Sequence, residues 1–278
     1  MAKYAMAIDL NKCIGCYNCQ IACKDEHVYN AFPPIAAEQP AFGQFWLSIE
    51  EREQVWDPSH IKVTYIPKPC QHCDDAPCAK AAENGAVYKR DDGIVIIDPE
   101  KAVGQKELVS SCPYGSIYLN EEKGLPQKCT FCAHLVDDNW QEPRCAQSCP
   151  MSCMYFGDVE DPESRISKFL AANQGEAFHP EYGTKPNVYY VGLPKPNLSG
   201  TVRLAEGNEC AANVAVTFTG ADGVKRQAVT DCFGDFQFKN VAPGKGTITY
   251  ELAGYAPQSS PLVLDREITF LGEIKLNR

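Results

Sequence analysis

The sequence predicts an α+β chain, with a cysteine-rich N-terminal part built from repeated metal-binding loops and an all-β sandwich at the C-terminus. Three observations predict it. Residues 13–23 read Cys13-x2-Cys16-x2-Cys19-x3-Cys23, and weaker copies of that run recur near residues 70, 102 and 129. Prolines then crowd one stretch, at Pro180, Pro186, Pro194 and Pro196. Beyond them, short alternating segments rich in β-branched and aromatic residues are separated by turn signals. The 278 residues divide accordingly: 1–180 is a metal-binding domain, 181–197 a stiff Pro-rich linker, and 198–278 the sandwich.

The run at 13–23 has the ligand spacing of bacterial ferredoxins. Three thiolates on a tight loop hold three corners of a [4Fe–4S] cube. The fourth cysteine, three residues on, starts a helix that points away and ligates the other cluster of a pair. The second copy, Cys70-x2-Cys73-x4-Cys78, has Ala82 where its fourth cysteine belongs. The third ends at Cys112-Pro113 but has Ala102, Gln105 and Leu108 in its loop. The fourth is complete: Cys129-x2-Cys132-x12-Cys145-x3-Cys149, then Pro150.

Because copies exchange fourth ligands, the deletions reveal the partners. Pairing copy one with two orphans Cys149, and pairing one with three strands Cys23. Only the nested arrangement, one with four and two with three, employs every surviving motif cysteine. It gives three sites: Cys13, Cys16, Cys19 with Cys149; Cys129, Cys132, Cys145 with Cys23; and Cys70, Cys73, Cys78 with Cys112. The site that would use positions 102, 105, 108 and 82 has lost all four. The expectation is two ferredoxin-like [4Fe–4S] modules with insertions, holding three clusters in a scaffold built for four. Zinc is the competing reading, since Cys-x2-Cys pairs also form structural zinc knuckles. The dense run at 13–23 and Cys-Pro at two motif ends argue for iron–sulfur.

The remaining elements follow in order. The insertion at 24–69 carries an apolar stretch at 42–49 containing Trp46, then Glu50-Glu51-Arg52-Glu53, then a strand at 61–66. Residues 86–97 form a hairpin around Asp92-Gly93. A helix is expected over 162–172, with Pro162 in its first turn. After the linker, segments 201–204, 214–218, 236–238 and 247–250 alternate. Turns fall at Asp222-Gly223, 233–235 and Pro243-Gly244, which describes about seven antiparallel strands.

A net charge of −10 argues against nucleic acid or an anionic membrane surface as partner. No stretch approaches the ~20 apolar residues of a membrane span, and the N-terminal residues show neither twin arginines nor an apolar signal core. A cytoplasmic location is the expectation. No phosphate loop, nucleophile pattern or zinc helix is present, so a non-catalytic role is expected. His27 either reaches a cluster or partner or is structural. Lys128 and Arg144, each just before a ligand cysteine, either offset thiolate charge or are solvated. Trp46 is either core or an interface anchor. Cys153, Cys210 and Cys232 read as buried packing thiols, with a Cys210–Cys232 bridge as the alternative for the latter two.

Over residues 3–160, the four motifs, the 86–97 hairpin and Cys149-Pro150 resemble the iron–sulfur subunits of the dimethyl-sulfoxide-reductase family of molybdopterin enzymes. The resemblance implies an electron-transfer subunit with three [4Fe–4S] clusters. Its partner would be a large catalytic subunit carrying molybdenum on two pterin guanine dinucleotides, in a heterodimer or higher oligomer. It also implies that the first and last motifs lie nearest the molybdenum. The lost site would then sit between that pair and the distal cluster, so that the Cys70–Cys112 cluster serves mainly structure. Ser199-Gly200-Thr201-Val202, residues 230–238 and Leu271-Gly272-Glu273-Ile274 look like a carboxypeptidase-regulatory or transthyretin-like Ig-type domain. Together with Lys24-Asp25-Glu26-His27, residues 84–88, Thr184-Lys185-Pro186 and Val188-Tyr189-Tyr190, this is similar to the small subunits of enzymes that hydroxylate or transhydroxylate polyhydroxylated aromatics. Resorcinol hydroxylases and catechol dehydroxylases, with net electron flow, remain an alternative. A free-standing polyferredoxin is the reading from another class, and the β-domain and long insertions speak against it.

Overall fold

A computed structural model describes residues 2–57, 60–264 and 268–278. The chain divides into two units, Met1–Glu51 with Thr64–Leu193, and Arg52–Val63 with Pro194–Arg278.

In the first unit the cysteine motifs alternate with short helices and hairpins. In chain order come β1 (Tyr4–Asp9), α1 (Asn18–His27), the paired β2 (Ser48–Asp57) and β3 (His60–Lys68), whose stretch from Arg52 to Val63 is counted with the second unit, and α2 (Pro77–Ala81). The hairpin of β4 (Val87–Lys89) and β5 (Val95–Ile97) precedes α3 (Leu108–Ser111). A second hairpin, β6 (Tyr118–Asn120) with β7 (Leu125–Gln127), leads to α4 (Ala133–Asp137) and α5 (Arg144–Gln147). Finally come β8 (Met154–Asp158), α6 (Arg165–Ala172), β9 (Glu176–Ala177) and β10 (Val188–Val191).

The sheet that organises this unit has the order β8-β1-β10-β9. Strand β1 is buried from Ala5 to Asp9 because it lies between two neighbours. It runs into the loop bearing Cys13, while β8 begins just after Cys153. Their antiparallel register sets Ile8 opposite Met154, and the Asp9 amide donates to the Cys153 carbonyl at 2.8 Å. Motif one is thereby held against motif four. Trp46 and Leu47, each 1% exposed, belong to the core, so Trp46 is not a surface anchor.

Two readings of this region need correction. Residues 181–197 are not an extended linker, because Val188–Val191 forms β10, parallel to β1 from Met6↔Val188 to Asp9↔Val191. Val188 and Tyr190 are fully buried, and the Tyr190 hydroxyl donates to the Pro67 carbonyl at 2.8 Å. A four-residue Val-Tyr-Tyr-Val run is too short a signal to stand out among prolines, yet burial on the sheet decides its conformation. Helix α6 starts at Arg165 rather than 162, because the Ser164 hydroxyl accepts from the Ser167 amide and caps it.

The second unit contains seven strands among its described C-terminal residues: β11 (Asn197–Leu204), β12 (Ala215–Thr219), β13 (Lys225–Val229), β14 (Asp235–Phe238), β15 (Gly244–Glu251), β16 (Gln258–Leu264) and β17 (Ile268–Leu276). They form sheets of order β14-β11-β17 and β13-β12-β15-β16. Phe236 and Phe238 of one meet Tyr250 and Phe218 of the other, at centroid distances of 5.8 and 5.9 Å. The sandwich is not wholly antiparallel, since β17 returns parallel to β11. Alternation reports which face of a strand is buried, not its direction. Cys210 and Cys232 are exposed free thiols rather than buried ones. Cys232 lies in a turn, and Cys210 in an isolated β-bridge to Arg203, both outside the named strands. Among the described residues, no helix is long and apolar enough to cross a membrane.

Candidate metal centres

One turn recurs in the opening Cys-x2-Cys loop of motifs one, two and four. The residue before the second cysteine is left-handed in each, with φ of 65° at Gly15, 45° at His72 and 53° at Phe131. That turn aims the residue's own amide at the first sulfur. His72 N lies 3.4 Å from Cys70 Sγ, Phe131 N 3.4 Å from Cys129 Sγ, and the Gly15 amide favours the Cys13 thiolate in the same way. An amide pointed at sulfur stabilises the charged form, as a cluster ligand requires. At Gly15 only glycine fits, because a Cβ would stand 2.6 Å from the Tyr65 ring.

The loops and helices bring the cysteines together in three groups. Cys13, Cys16, Cys19 and Cys149 line one pocket with Ile14, Met151 and Cys153. Burial, then the neighbouring Cys13, Cys149 and Cys16, pushes the Cys19 thiol up to about 12. In the second group, α1 supplies Cys23, the 129–132 loop two more, and α5 Cys145. Burial raises Cys23 and Cys145 well above the ordinary thiol value, with mutual repulsion and Cys129 and Cys132 adding to it. In the third group Cys73 is pushed up to about 12, by burial and then by Cys70, Cys112 and Cys78, while the Thr184 hydroxyl opposes. Such thiols release their protons only to a strongly bound metal. Among the described residues, no three metal-binding side chains converge on a point that one ion could occupy. In the first group the four thiols line a cavity, as the corners of a multi-iron cube require.

The third motif keeps its turn but not its ligands. Gly104, in the equivalent position of that loop, has φ 87°. Ala102 and Leu108 are fully buried, and Gln105 is 8% exposed. The Gln105 amide donates to the Lys101 carbonyl at 2.9 Å and the Glu83 carbonyl at 3.3 Å, while its oxygen accepts from the Glu83 amide at 2.9 Å. A side chain ties together the segments that a fourth cluster would have joined.

The groups adjoin in sequence. Cys19 of the first raises both Cys23 and Cys145 of the second. The Cys70 amide lies against the Cys129 sulfur, and the His72 ring stacks on Phe131 at 3.7 Å, so the second group meets the third directly. This corrects the expectation that the lost site lies between them. The loop turned towards motif four is 70–73, whereas 102–105 is turned towards Glu83 at the end of the second motif.

Charged and polar neighbours are placed with equal specificity. Lys128 is 2% exposed, with its ammonium donating to the Cys129 carbonyl at 3.0 Å and to the Val95 carbonyl, so it is not solvated. Arg144 instead pairs with Glu26 at 2.6 Å, and His134 meets the other oxygen of that carboxylate at 3.0 Å. Burial pushes Glu26 up, but those hydrogen bonds outweigh it and hold the carboxyl below its ordinary value. His27 is buried, with Nε2 3.9 Å from Cys132 Sγ, so it reaches a thiol of the second group. Burial and then His134 hold it down to about 3, against the pull of Glu26, which keeps the ring neutral. Cys153 is buried as expected but does more than pack. Its sulfur is 3.4 Å from Cys149 Sγ and hydrogen-bonds Cys13, holding that thiol down to about 6 against burial. The repeated x3 spacing, Cys149 to Cys153, is the signal for it in the sequence.

Comparison with known proteins accords with these loops. The 4Fe-4S dicluster domain matches residues 61–159, and the carboxypeptidase regulatory-like domain matches 197–270. The pyrogallol hydroxytransferase small subunit of Pelobacter acidigallici is 42% identical over 99% of this chain and 100% of that protein. The chain belongs to the iron–sulfur subunits of the dimethyl-sulfoxide-reductase family of molybdopterin enzymes. Other members of that group are a putative dimethyl sulfoxide reductase iron–sulfur subunit of Halobacterium salinarum and a tetrathionate reductase subunit of Salmonella typhimurium. The first is 34% identical over 69% of this chain and 79% of its own length. The second is 35% identical over 69% and 73%. As an iron–sulfur subunit of this group, the chain serves electron transfer.

Proposed function

We propose that this chain is the electron-transfer subunit of a hydroxytransferase acting on polyhydroxylated aromatics, of the pyrogallol-to-phloroglucinol type. Its partner is a large catalytic subunit holding molybdenum on two pterin guanine dinucleotides. The observation that carries the reading is a 42% identity that runs through the C-terminal β-domain, where the two reductase subunits above match only 69% of the chain. In this reading Cys13, Cys16, Cys19 and Cys149 hold one [4Fe–4S] cluster, Cys129, Cys132, Cys145 and Cys23 a second, and Cys70, Cys73, Cys78 and Cys112 a third. The two ferredoxin-like modules share them through the nested exchange of Cys23 and Cys149. When bound, the clusters take up and release single electrons.

What the residues themselves do follows from their placement. The repeated amides and buried thiols grip the iron, and the core excludes water from the second group. The first group lies at the surface: Cys16 is exposed, flanked by Ile14 at 57% and Met151 at 42% exposure. That edge suits contact with the catalytic subunit. Fifteen free thiols fit a reducing, cytoplasmic setting.

The direct adjacency of all three groups favours a second reading, in which net electrons pass along the row as in a resorcinol hydroxylase or catechol dehydroxylase. Turnover of a trihydroxybenzene by the purified two-subunit complex separates the two. Product formation without added electron donor or acceptor is the expected result. A strict requirement for a stoichiometric donor would overturn it in favour of the second reading.

A further inference from the structure

Lys128 stands out as a cation buried without a counter-ion. Its side chain is 2% exposed, and among the described residues its ammonium meets two carbonyls and no carboxylate. A charge withdrawn from water in this way is strongly unfavourable unless an opposite charge compensates it. The position of the ammonium identifies where that charge must come from. It sits on the backbone of Cys129, in the second group. It also sits on the Val95 carbonyl, whose own amide donates to His72 Nδ1 at 3.0 Å, inside the 70–73 loop of the third. Arg144, the other cation preceding a ligand cysteine, is already neutralised by Glu26.

We propose that the Lys128 ammonium is the shared counter-charge of the second and third iron–sulfur clusters, raising the reduction potentials of both together. The inference rests on the cluster assignment above. A [4Fe–4S] cube with four thiolates is an anion, and accepting one electron adds a further negative charge. A fixed cation between two such cubes therefore favours the reduced state of each, with least effect on the first group.

The test is a potentiometric titration, followed by EPR, of the whole complex purified anaerobically, comparing Lys128→Met, Lys128→Gln and Lys128→Arg with the parent. In the Met and Gln variants, two of three midpoint potentials should fall, each by about a tenfold change in its reduction equilibrium, or about 59 mV for a one-electron couple. The third should stay, and Lys128→Arg should restore the parent values. If the neutral variants lose iron while Lys128→Arg keeps it, the missing element is again the charge. Unchanged potentials, an equal fall in all three, or iron loss in all variants including Arg would overturn the proposal. Parent protein lacking acid-labile sulfide would instead overturn the cluster assignment itself.

Discussion

Replacing Gln105 by alanine tests whether a side chain does the work of a lost cluster. In the structure this side chain makes three hydrogen bonds, two to Glu83 and one to Lys101, in a position 8% exposed. Alanine leaves the Glu83 amide without its acceptor, which costs about 1–3 kcal/mol for a buried donor. Two abandoned carbonyls add less, since each retains other ways to be solvated, so the local loss is about 2–4 kcal/mol. Global unfolding is a poor assay, because cofactor-bearing proteins depart from two-state behaviour. Hydrogen exchange at the Glu83 amide reads the segment directly. A loss of 2 kcal/mol corresponds to about 30-fold faster exchange, at 1.4 kcal/mol per tenfold. Iron content should not change. Exchange within about twofold of the parent would refute the idea that Gln105 holds this region together.

Three further outcomes follow from the same geometry. Restoring Ala82→Cys, Ala102→Cys, Gln105→Cys and Leu108→Cys together should add about four iron atoms per chain, because Gly104 keeps the loop's turn; unchanged iron would show that the turn alone does not make a site. Glu26→Gln should cost about 1–3 kcal/mol at neutral pH by breaking charge-assisted bonds to Arg144 and His134. Since the folded carboxyl lies below its ordinary value, this stability is present above the unfolded pKa of about 4.3 and is lost as pH falls through the lower folded one. A penalty that stayed constant from pH 7 down to pH 2 would contradict the assignment. Phe236→Ala, 4% exposed at the meeting of the two β-sheets, should destabilise the second unit by about 3–5 kcal/mol in thermal unfolding, and a loss under about 1 kcal/mol would contradict the packing.

The iron–sulfur character was legible because ligand spacing is a covalent constraint: a cube accepts few loop lengths, and the 4Fe-4S dicluster domain matches residues 61–159. The 86–97 hairpin was legible for a similar reason, since Asp92-Gly93 admits few turns. What escaped depended on contacts distant in sequence. Val188–Val191 is a strand only because β1 lies beside it. The order of the groups escaped because motif spacing says which loops share a cluster but not which loop faces the next one. His72 on Phe131 decides that, and a ring stack between residues far apart along the chain leaves no local trace. The parallel pairing of β17 with β11 escaped likewise, since alternation is the same in either direction.

The account turns on where iron sits. Anomalous diffraction at the iron edge, from crystals of the anaerobically purified complex, tests it most directly. Three iron positions in this chain are predicted, one within reach of Cys16 and Cys149, one of Cys23 and Cys145, and one of Cys73 and Cys112. Iron beside Gln105, or any of the three thiol groups holding a lone zinc ion, would contradict it.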